Sequence, residues 1–411
     1  MHKELLLVKR KKAKELYDQG YSINKIADKL VSNWSSVKKW IEMDDVTVDN
    51  RGWEKGNLRE YNQEVKKRVI EIRKRLRKEQ SYFFGPQVIR ANYEKLYPDE
   101  KTPTIYFIAK TLREEGMTTG KDDTRTDNGS EYMNYPQRTL DKMGTVVEGI
   151  DFIGPRYIED QSEGVHFLAR KYIRPYQYGL MSRIEGQTTD EALEVLIEDW
   201  QDHPLPEVLR LDNDPSFGLY SRHDRHIGRF LKAVLNLGIT PIYSARSQPW
   251  NNGNTEGYNS VFARKFWEKL NFSDEAEIDT EIKQFNLEYA KYNELIGNNI
   301  DPEEIEDETL PEDFELTESL QNELRNDLED PTIYWLRIVR NGTEKAKQKD
   351  IGTIDILGEE IELPKPYVNQ FTLNKLQLKE DRLSVMVEDD DGKLETIKQR
   401  ELEVENVDFN G

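Results

Sequence analysis

The chain has 411 residues, more than one ordinary hydrophobic core accommodates, so several domains are expected. It contains no cysteine, which excludes disulfides, thiolate zinc sites and a cysteine nucleophile, and its five scattered histidines do not rebuild a zinc finger. A formal charge of -20 argues against a uniformly nucleic-acid-binding surface, but the charge is unevenly placed: residues 1–121 carry 27 Lys plus Arg against 18 Asp plus Glu, leaving -29 for the rest.

The basic start, MHKELLLVKRKKAK, has too short an apolar stretch and no small-residue cleavage site for a signal peptide, and no apolar run approaches a membrane span. These features predict a soluble intracellular protein. In residues 1–58 the apolar Leu16, Tyr17, Ile23, Ile26, Ala27, Leu30, Val37, Trp40 and Ile41 recur at helical spacing, with breaks at Gly20–Ser22 and at VSNW. Three helices with a tight turn before the third suggest a helix-turn-helix, which would bring Ser35, Ser36, Lys38 and Lys39 to a DNA major groove. A small bundle with a solvated basic face is the alternative.

Residues 59–120 form a second helical unit. EVKKRVIEIRKRLRKEQ sets Val65, Val69, Ile72 and Leu76 on one face and Lys66, Lys67, Arg73, Lys74 and Arg77 on the others, which suits DNA contact or merely a basic surface. Further on, Thr102 is expected to cap a helix, Pro103 to take its first position and Gly116 to close it. Residues 121–143 lack periodicity and read as a linker.

From 144 the pattern turns to strands. Three strand-like runs in series suggest an antiparallel meander. QTTDEALEVLIEDWQDH then shows capping-box spacing at Thr188 and Glu191 and an apolar helical face at Ala192, Leu193, Leu196, Ile197 and Trp200. PEVLRLDND is a strand, RHIGRFLKAVLNLG a helix closed by Gly238, and ITPIYS a strand. A final helix carries Tyr258, Val261, Phe262, Phe266 and Leu270 as its stripe. The order β-β-β-α-β-α-β-α over 144–272 predicts an α/β domain with a mixed sheet and helices packed on it.

Three acids stand out in this region. Asp151 lies within a strand between Ile150 and Phe152, where a lone carboxylate is costly. Asp212 ends a strand in LRLDND, and Glu256 begins the last helix, with Asn252 four residues before it. Each has an ordinary explanation: a buried arginine for Asp151, a turn for Asp212, the helix dipole for Glu256. Together they suit divalent metal, because magnesium takes oxygen ligands and keeps waters that phosphate oxygens replace.

GIDFIGP around Asp151, LRLDNDPSF around Asp212 and QPWNNGNTEGYN around Glu256 give this region a resemblance to the catalytic core of the DDE transposase and retroviral-type integrase superfamily, an RNase H-like fold. The resemblance, bacterial insertion-sequence transposases included, covers about a third of the chain. It implies that Asp151, Asp212 and Glu256 are the catalytic acids and bind two Mg²⁺ or Mn²⁺ ions. It implies cleavage of DNA at mobile-element ends and strand transfer to target DNA, by a homo-oligomer acting on the chromosome in a prokaryotic cytoplasm, with a helper ATPase as a possible external partner. Asn213 and Asn252 match the family's asparagines and are accessory candidates. Asp214 replaces the family's usual glycine and is either a further ligand or a surface acid. The 43 residues between Asp212 and Glu256 exceed the usual spacing by a loop at GLYSRHDRH, where His223 and His226 are more simply surface residues. An idle transposase-derived DNA-binding regulator and an RNase H-like nuclease are the other functional classes.

Residues 273–331 are expected to be a helix, with Ile278, Ile282, Phe285 and Tyr289 in phase, and an acidic linker; 301–330 hold 14 acids and one base. That run is either solvated or a DNA mimic over a basic surface. Residues 332–411 alternate as short strands and predict a small terminal β-barrel.

Overall fold

The computed structural model describes residues 3–43, 61–79, 82–118, 135–159, 162–177, 179–219, 225–246, 253–297, 308–341, 351–407 and 409. The chain divides into two compact units, Met1–Lys67 and Arg68–Gly411. In the first, α1 (Lys3–Asp18), α2 (Ile23–Leu30) and α3 (Trp34–Ile41) enclose Leu6, Ala13, Leu16, Ile26, Ala27, Val37 and Trp40. Gly20 breaks the first helix at φ 86°. Asn33 caps the third, its side chain accepting from the Ser36 amide at 2.9 Å. Tyr17, placed by periodicity among the core residues, is 48% exposed.

The helix α4 (Gln63–Glu79) runs into the second unit, where α5 (Pro86–Leu96) and α6 (Ile105–Glu114) follow. The α6 cap is Thr104, which accepts from the Phe107 amide at 3.2 Å. The expected Thr102–Pro103 start therefore lies before the helix, because Thr104 and not Thr102 satisfies its first-turn amide. Gly116 does leave the helix in a left-handed conformation, at φ 65°.

After α7 (Gln137–Leu140), the sheet begins with β1 (Val147–Tyr157), β2 (Gly164–Arg174) and β3 (Gly179–Ile184), paired antiparallel in sequence. There follow α8 (Thr189–Asp202), β4 (Val208–Leu211), α9 (Arg229–Asn236), β5 (Thr240–Tyr243), α10 (Gly253–Phe262) and α11 (Glu275–Leu295). β4 pairs parallel with β1, and β5 parallel with β4. This is the mixed sheet that the element order implies.

The rear of the chain differs from expectation. After α12 (Glu318–Asn322) come β6 (Thr332–Ile338), β7 (Arg340–Asn341), β8 (Ile351–Ile356), β9 (Glu359–Pro364), β10 (Phe371–Gln377), β11 (Arg382–Glu388) and β12 (Leu394–Glu401). β6 pairs parallel with β5, matching Ile242 to Tyr334 and Tyr243 to Trp335. One sheet thus runs β12-β11-β10-β6-β5-β4-β1-β2-β3, and β7-β8-β9 form a second. These strands extend the core sheet instead of standing apart as a barrel. The physical reason is that β5 would otherwise expose an edge of unpaired backbone groups. TIYWLRI, buried on both faces at Ile333, Trp335 and Leu336, has the character of a central strand.

One face of the sheet is covered by α8 and α9, whose core holds Leu196, Trp200, Phe230 and Leu231 with Ile150, Leu209 and Trp335. The acidic segment is part of this layer. Leu310 is buried in that core and its amide donates to the Trp200 carbonyl at 2.8 Å. The Asn236 side chain on α9 donates to the carbonyls of Leu320 and Glu323, both at 2.7 Å. Residues 308–330 are accordingly a strap and not the solvated linker that their charge suggests. Charge counts side chains, whereas here the backbone and a few apolar residues do the docking.

A buried ionic group ties α8 to the sheet from the same side. Arg170 Nε donates to Glu148 Oε1 at 2.6 Å, Trp200 Nε1 donates to Glu148 Oε2 at 2.9 Å, and Arg170 also pairs with Asp199. Burial opposes the Arg170 charge, but Glu148 and Asp199 outweigh it and raise its pKa. The opposite face carries α10 and α11. There Tyr258, Phe262, Phe266, Phe285 and Tyr289 form an aromatic cluster that also receives Tyr82 and Phe83 from the α4–α5 connection. Gly179 allows the approach of α10, because a Cβ there would sit 2.8 Å from the Tyr258 ring.

Candidate active site

The β1–β4 register runs from Val147 opposite Val208 to Gly149 opposite Arg210. Continued for two residues, it sets Asp151 beside Asp212. Ile150 and Leu211 enter the α8–α9 core, so alternation turns Asp151 and Asp212 to the other face, where α10 lies. Glu256 is in the first turn of α10, half-buried, and its charge acts on Asp151. Asp151 and Asp212 therefore share one face at the ends of adjacent parallel strands, with Glu256 near enough for its charge to act on Asp151.

Their electrostatics follow from that placement. Burial, then the charge of Asp212, then that of Glu256 push the Asp151 carboxyl up to about 7, against the Asn259 hydrogen bond and the Phe152 amide. Burial and the Asp214 charge raise Asp212, opposed by the Asp214 amide, and burial raises Glu256. Among the described residues no three acids or histidines are drawn together into a closed metal site. The charges of Asp212 and Glu256 bear on Asp151, and among the described residues no lysine or arginine offsets them there.

Asn259 is the residue that motif reading overlooked. Its Nδ2 donates to Asp151 Oδ2 at 2.7 Å, while its Oδ1 is buried without a partner. The signal was in the sequence, since Glu256 and Asn259 are three apart on one helical face. Asn213 turns its Nδ2 to the Ser244 carbonyl at 2.7 Å and also leaves a buried, unpartnered Oδ1. Residues whose donor chemistry suits a hard divalent cation are thus Asp151, Asp212 and Glu256, with the Asn259 amide against Asp151.

Asp214 caps the short 3-10 turn Pro215–Phe217, accepting from the Ser216 amide at 2.8 Å, and its own amide donates to Asp212 Oδ1 at 2.9 Å. That cap accounts for an acid in place of glycine. Asn252 and His223 lie outside the described residues; His226 approaches Glu405 at 3.9 Å, away from the acids. Gly253 and Gly257 have open space where a Cβ would be, so glycine is not what lets Glu256 approach the strands. Gly154 on β1 does have a steric reason: φ is 127° and a Cβ would stand 2.9 Å from the Val165 carbonyl oxygen. Beyond α10, a π turn at Ala263–Trp267 rotates Trp267 onto Phe167, at 5.7 Å between ring centroids. The inserted residue shifts the helical phase and leaves Leu270 only half-buried, off the expected stripe.

The basic residues divide by role. Ser35, Lys38 and Lys39 are exposed on α3 and Ser36 is half-buried. Lys38 lies 3.9 Å from Glu42. On α4, Lys67, Lys74 and Arg77 are exposed and Lys66 is half-buried. Arg73 donates to the Phe84 carbonyl and lies over the Phe84 ring at 4.3 Å, so it also holds the α4–α5 connection.

Residues 8–47 match a sequence family described as "Putative ATPase subunit of terminase (gpP-like)". The match is confined to the three-helix unit and its flank. No curated protein matches the chain in sequence. Among solved structures, the chain is similar to a simian T-cell lymphotropic virus intasome in complex with PP2A regulatory subunit B56 gamma, at 13% identity and a TM-score of 0.29, over 47% of this chain and 66% of that one. It is also similar to a pre-cleavage Mos1 transpososome, at 11% identity and a TM-score of 0.25, over 72% of this chain and 96% of that one. A Mos1 strand transfer complex gives 12% identity and a TM-score of 0.26, over 71% and 93%. These scores reflect similarity in outline only.

Proposed function

We propose that this chain is a DNA transposase or integrase that cuts and joins DNA strands at Asp151, Asp212 and Glu256. What supports this reading is the position of Asp151 and Asp212 on one face at the ends of adjacent strands, with the charge of Glu256 on α10 acting on Asp151. Their donor chemistry fits Mg²⁺ or Mn²⁺. When bound, two such ions would activate the attacking oxygen and stabilise the leaving oxygen of an in-line phosphoryl transfer. The residues of the chain supply the rest. Asn259 fixes Asp151 by its hydrogen bond, and the Asp214 amide fixes Asp212. Burial, with the charges of Asp212 and Glu256, favours a proton on Asp151 near neutrality, and a bound cation would favour its release.

The basic front fits the same reading. Ser35, Ser36, Lys38 and Lys39 on α3 would enter a major groove in the manner of a helix-turn-helix, and Lys66, Lys67, Lys74 and Arg77 on α4 would meet phosphates. Element ends and target DNA are the substrates, a homo-oligomer pairs the ends, and a helper ATPase is an external partner. The alternative is a DNA-binding regulator that keeps the fold without the chemistry.

The test uses purified protein with Mg²⁺ or Mn²⁺ and DNA carrying the sequences that flank its gene, with Glu256→Gln as control. Nicked and joined products lost in the control support the enzyme. Nicked products without joining indicate a nuclease. Tight DNA binding with no product in either protein supports the regulator.

A further inference from the structure

Two front helices, one in each compact unit, present the same outward stripe. On α3, Trp34 stands in the first turn and is 48% exposed, with Lys38 four residues on and Glu42 four further. On α6, Tyr106 stands in the first turn and is 78% exposed, with Lys110 and Glu114 at the same steps. Residues four apart are neighbours on a helix, so each set runs along one side. That side is not the buried one, which holds Val37 and Trp40 on α3 and Ile108, Thr111 and Leu112 on α6. Both first turns are held by a side-chain cap, Asn33 on α3 and Thr104 on α6, so each ring projects from a fixed backbone. The lysines meet their glutamates only loosely, at 3.9 Å for Lys38–Glu42 and 3.8 Å for Lys110–Glu114, with all four side chains exposed. Exposed pairs of this kind are weak and leave each lysine available to a phosphate. One exposed aromatic needs no explanation. Its recurrence with the same lysine and glutamate, in WSSVKKWIE and in YFIAKTLRE, calls for one.

We propose that Trp34 and Tyr106 determine DNA sequence preference, each ring contacting the 5-methyl group of a thymine in the major groove; the proposal rests on the DNA-binding reading of the front helices above and extends it to α6. A ring beside a lysine suits a partner that sets an apolar group next to an anion. The major groove does so: it admits a helix, thymine presents a methyl group there, and phosphates line its edges. The surroundings of the rings favour this partner over an apolar protein surface. Ser35 and Lys39 are exposed beside the stripe on α3. On α6, Arg113 is exposed and has no carboxylate within ion-pair distance among the described residues, while Ile105, 41% exposed, widens the apolar end of the stripe. Residues 1–121 as a whole carry 27 Lys plus Arg against 18 Asp plus Glu. In this division of labour the lysines position the helix on phosphates and the rings read the bases.

The test begins with full-length protein carrying Asp151→Asn, which prevents cleavage, and selects its preferred duplexes from a random library. Each thymine of the selected sequence is then replaced in turn by deoxyuridine, which lacks only the 5-methyl group. At one position uracil should weaken binding about fourfold, the worth of burying one methyl group, and should make no difference once Trp34→Ala is added. At another position the same should hold for Tyr106→Ala. Trp34→Phe and Tyr106→Phe keep an apolar ring and should keep the dependence on the methyl group, which separates a lost contact from a lost fold. Alanine variants that bind more weakly yet retain the full methyl dependence, or a starting protein indifferent to uracil at every position, would overturn the thymine readout and leave DNA binding intact. Absence of DNA binding by the starting protein would overturn the reading of the front helices as well.

Discussion

The two faces of the central sheet treat buried acid in opposite ways. On the α8 face, Glu148 is fully buried but satisfied, with Arg170 and Trp200 each donating to one of its oxygens. On the α10 face, Asp151 has one side-chain donor, Asn259, and otherwise meets the charges of Asp212 and Glu256. A carboxylate whose charge is answered within the fold holds elements together. A carboxylate whose charge is not answered in this way suits the proposed cation site, where a bound metal would relieve the penalty.

The largest effect should come from the unanswered face. Asp151→Asn should reduce metal-dependent strand transfer by at least about 10³-fold, roughly 4 kcal/mol. The same change should raise the melting temperature of the metal-free protein at pH 8, because an amide of the same shape removes the repulsion. On the answered face, Glu148→Gln should do the reverse. It leaves Arg170 in a buried setting short of its main partner and should cost roughly 3–5 kcal/mol of stability in chemical denaturation. A Glu148→Gln protein as stable as the parent would show that the comparison is mistaken.

The pH dependence sharpens the contrast. Asp151 has its folded pKa raised from 3.8 to about 7, so between those values the folded protein keeps a proton that the unfolded chain releases. The stability contributed by Asp151 is therefore fully present at low pH, falls as pH rises across that window, and levels off above it. Asp151→Asn should remove this slope from a series of melting curves. Asn259→Ala removes the donor that favours the charged form, so it should shift the rise of activity to higher pH and lower the rate about tenfold. The smallest effect is expected for Asp214→Ala, a loss of about 1 kcal/mol from an unmade turn cap, with the chemistry retained.

Much of the core was legible because its signals are local. The alternation around Asp151, the apolar face of α8 and the left-handed glycines at 116 and 238 each follow from a few neighbouring residues. The acids were legible as strand-end and helix-start residues, and Asn259 lay three positions from one of them. What stayed hidden depends on pairing across long stretches of chain. TIYWLRI reads as a strand, but nothing within it says that its neighbour is ITPIY, nearly a hundred residues earlier. Leu310, Phe314 and Leu316 are too few to reveal a docked strap amid the acids of 301–330, and their partners lie on α8 and α9.

The central claim is that Asp151, Asp212 and Glu256 form one divalent-cation site. Titration of the metal-free protein with Mn²⁺ at pH 8, with free manganese read by electron paramagnetic resonance, tests it most directly. The account predicts saturable binding that is abolished by Asp151→Asn or Asp212→Asn, weakened by Glu256→Gln and undisturbed by Glu148→Gln in protein that remains folded. Equal Mn²⁺ affinity in the parent and all three site variants would contradict it.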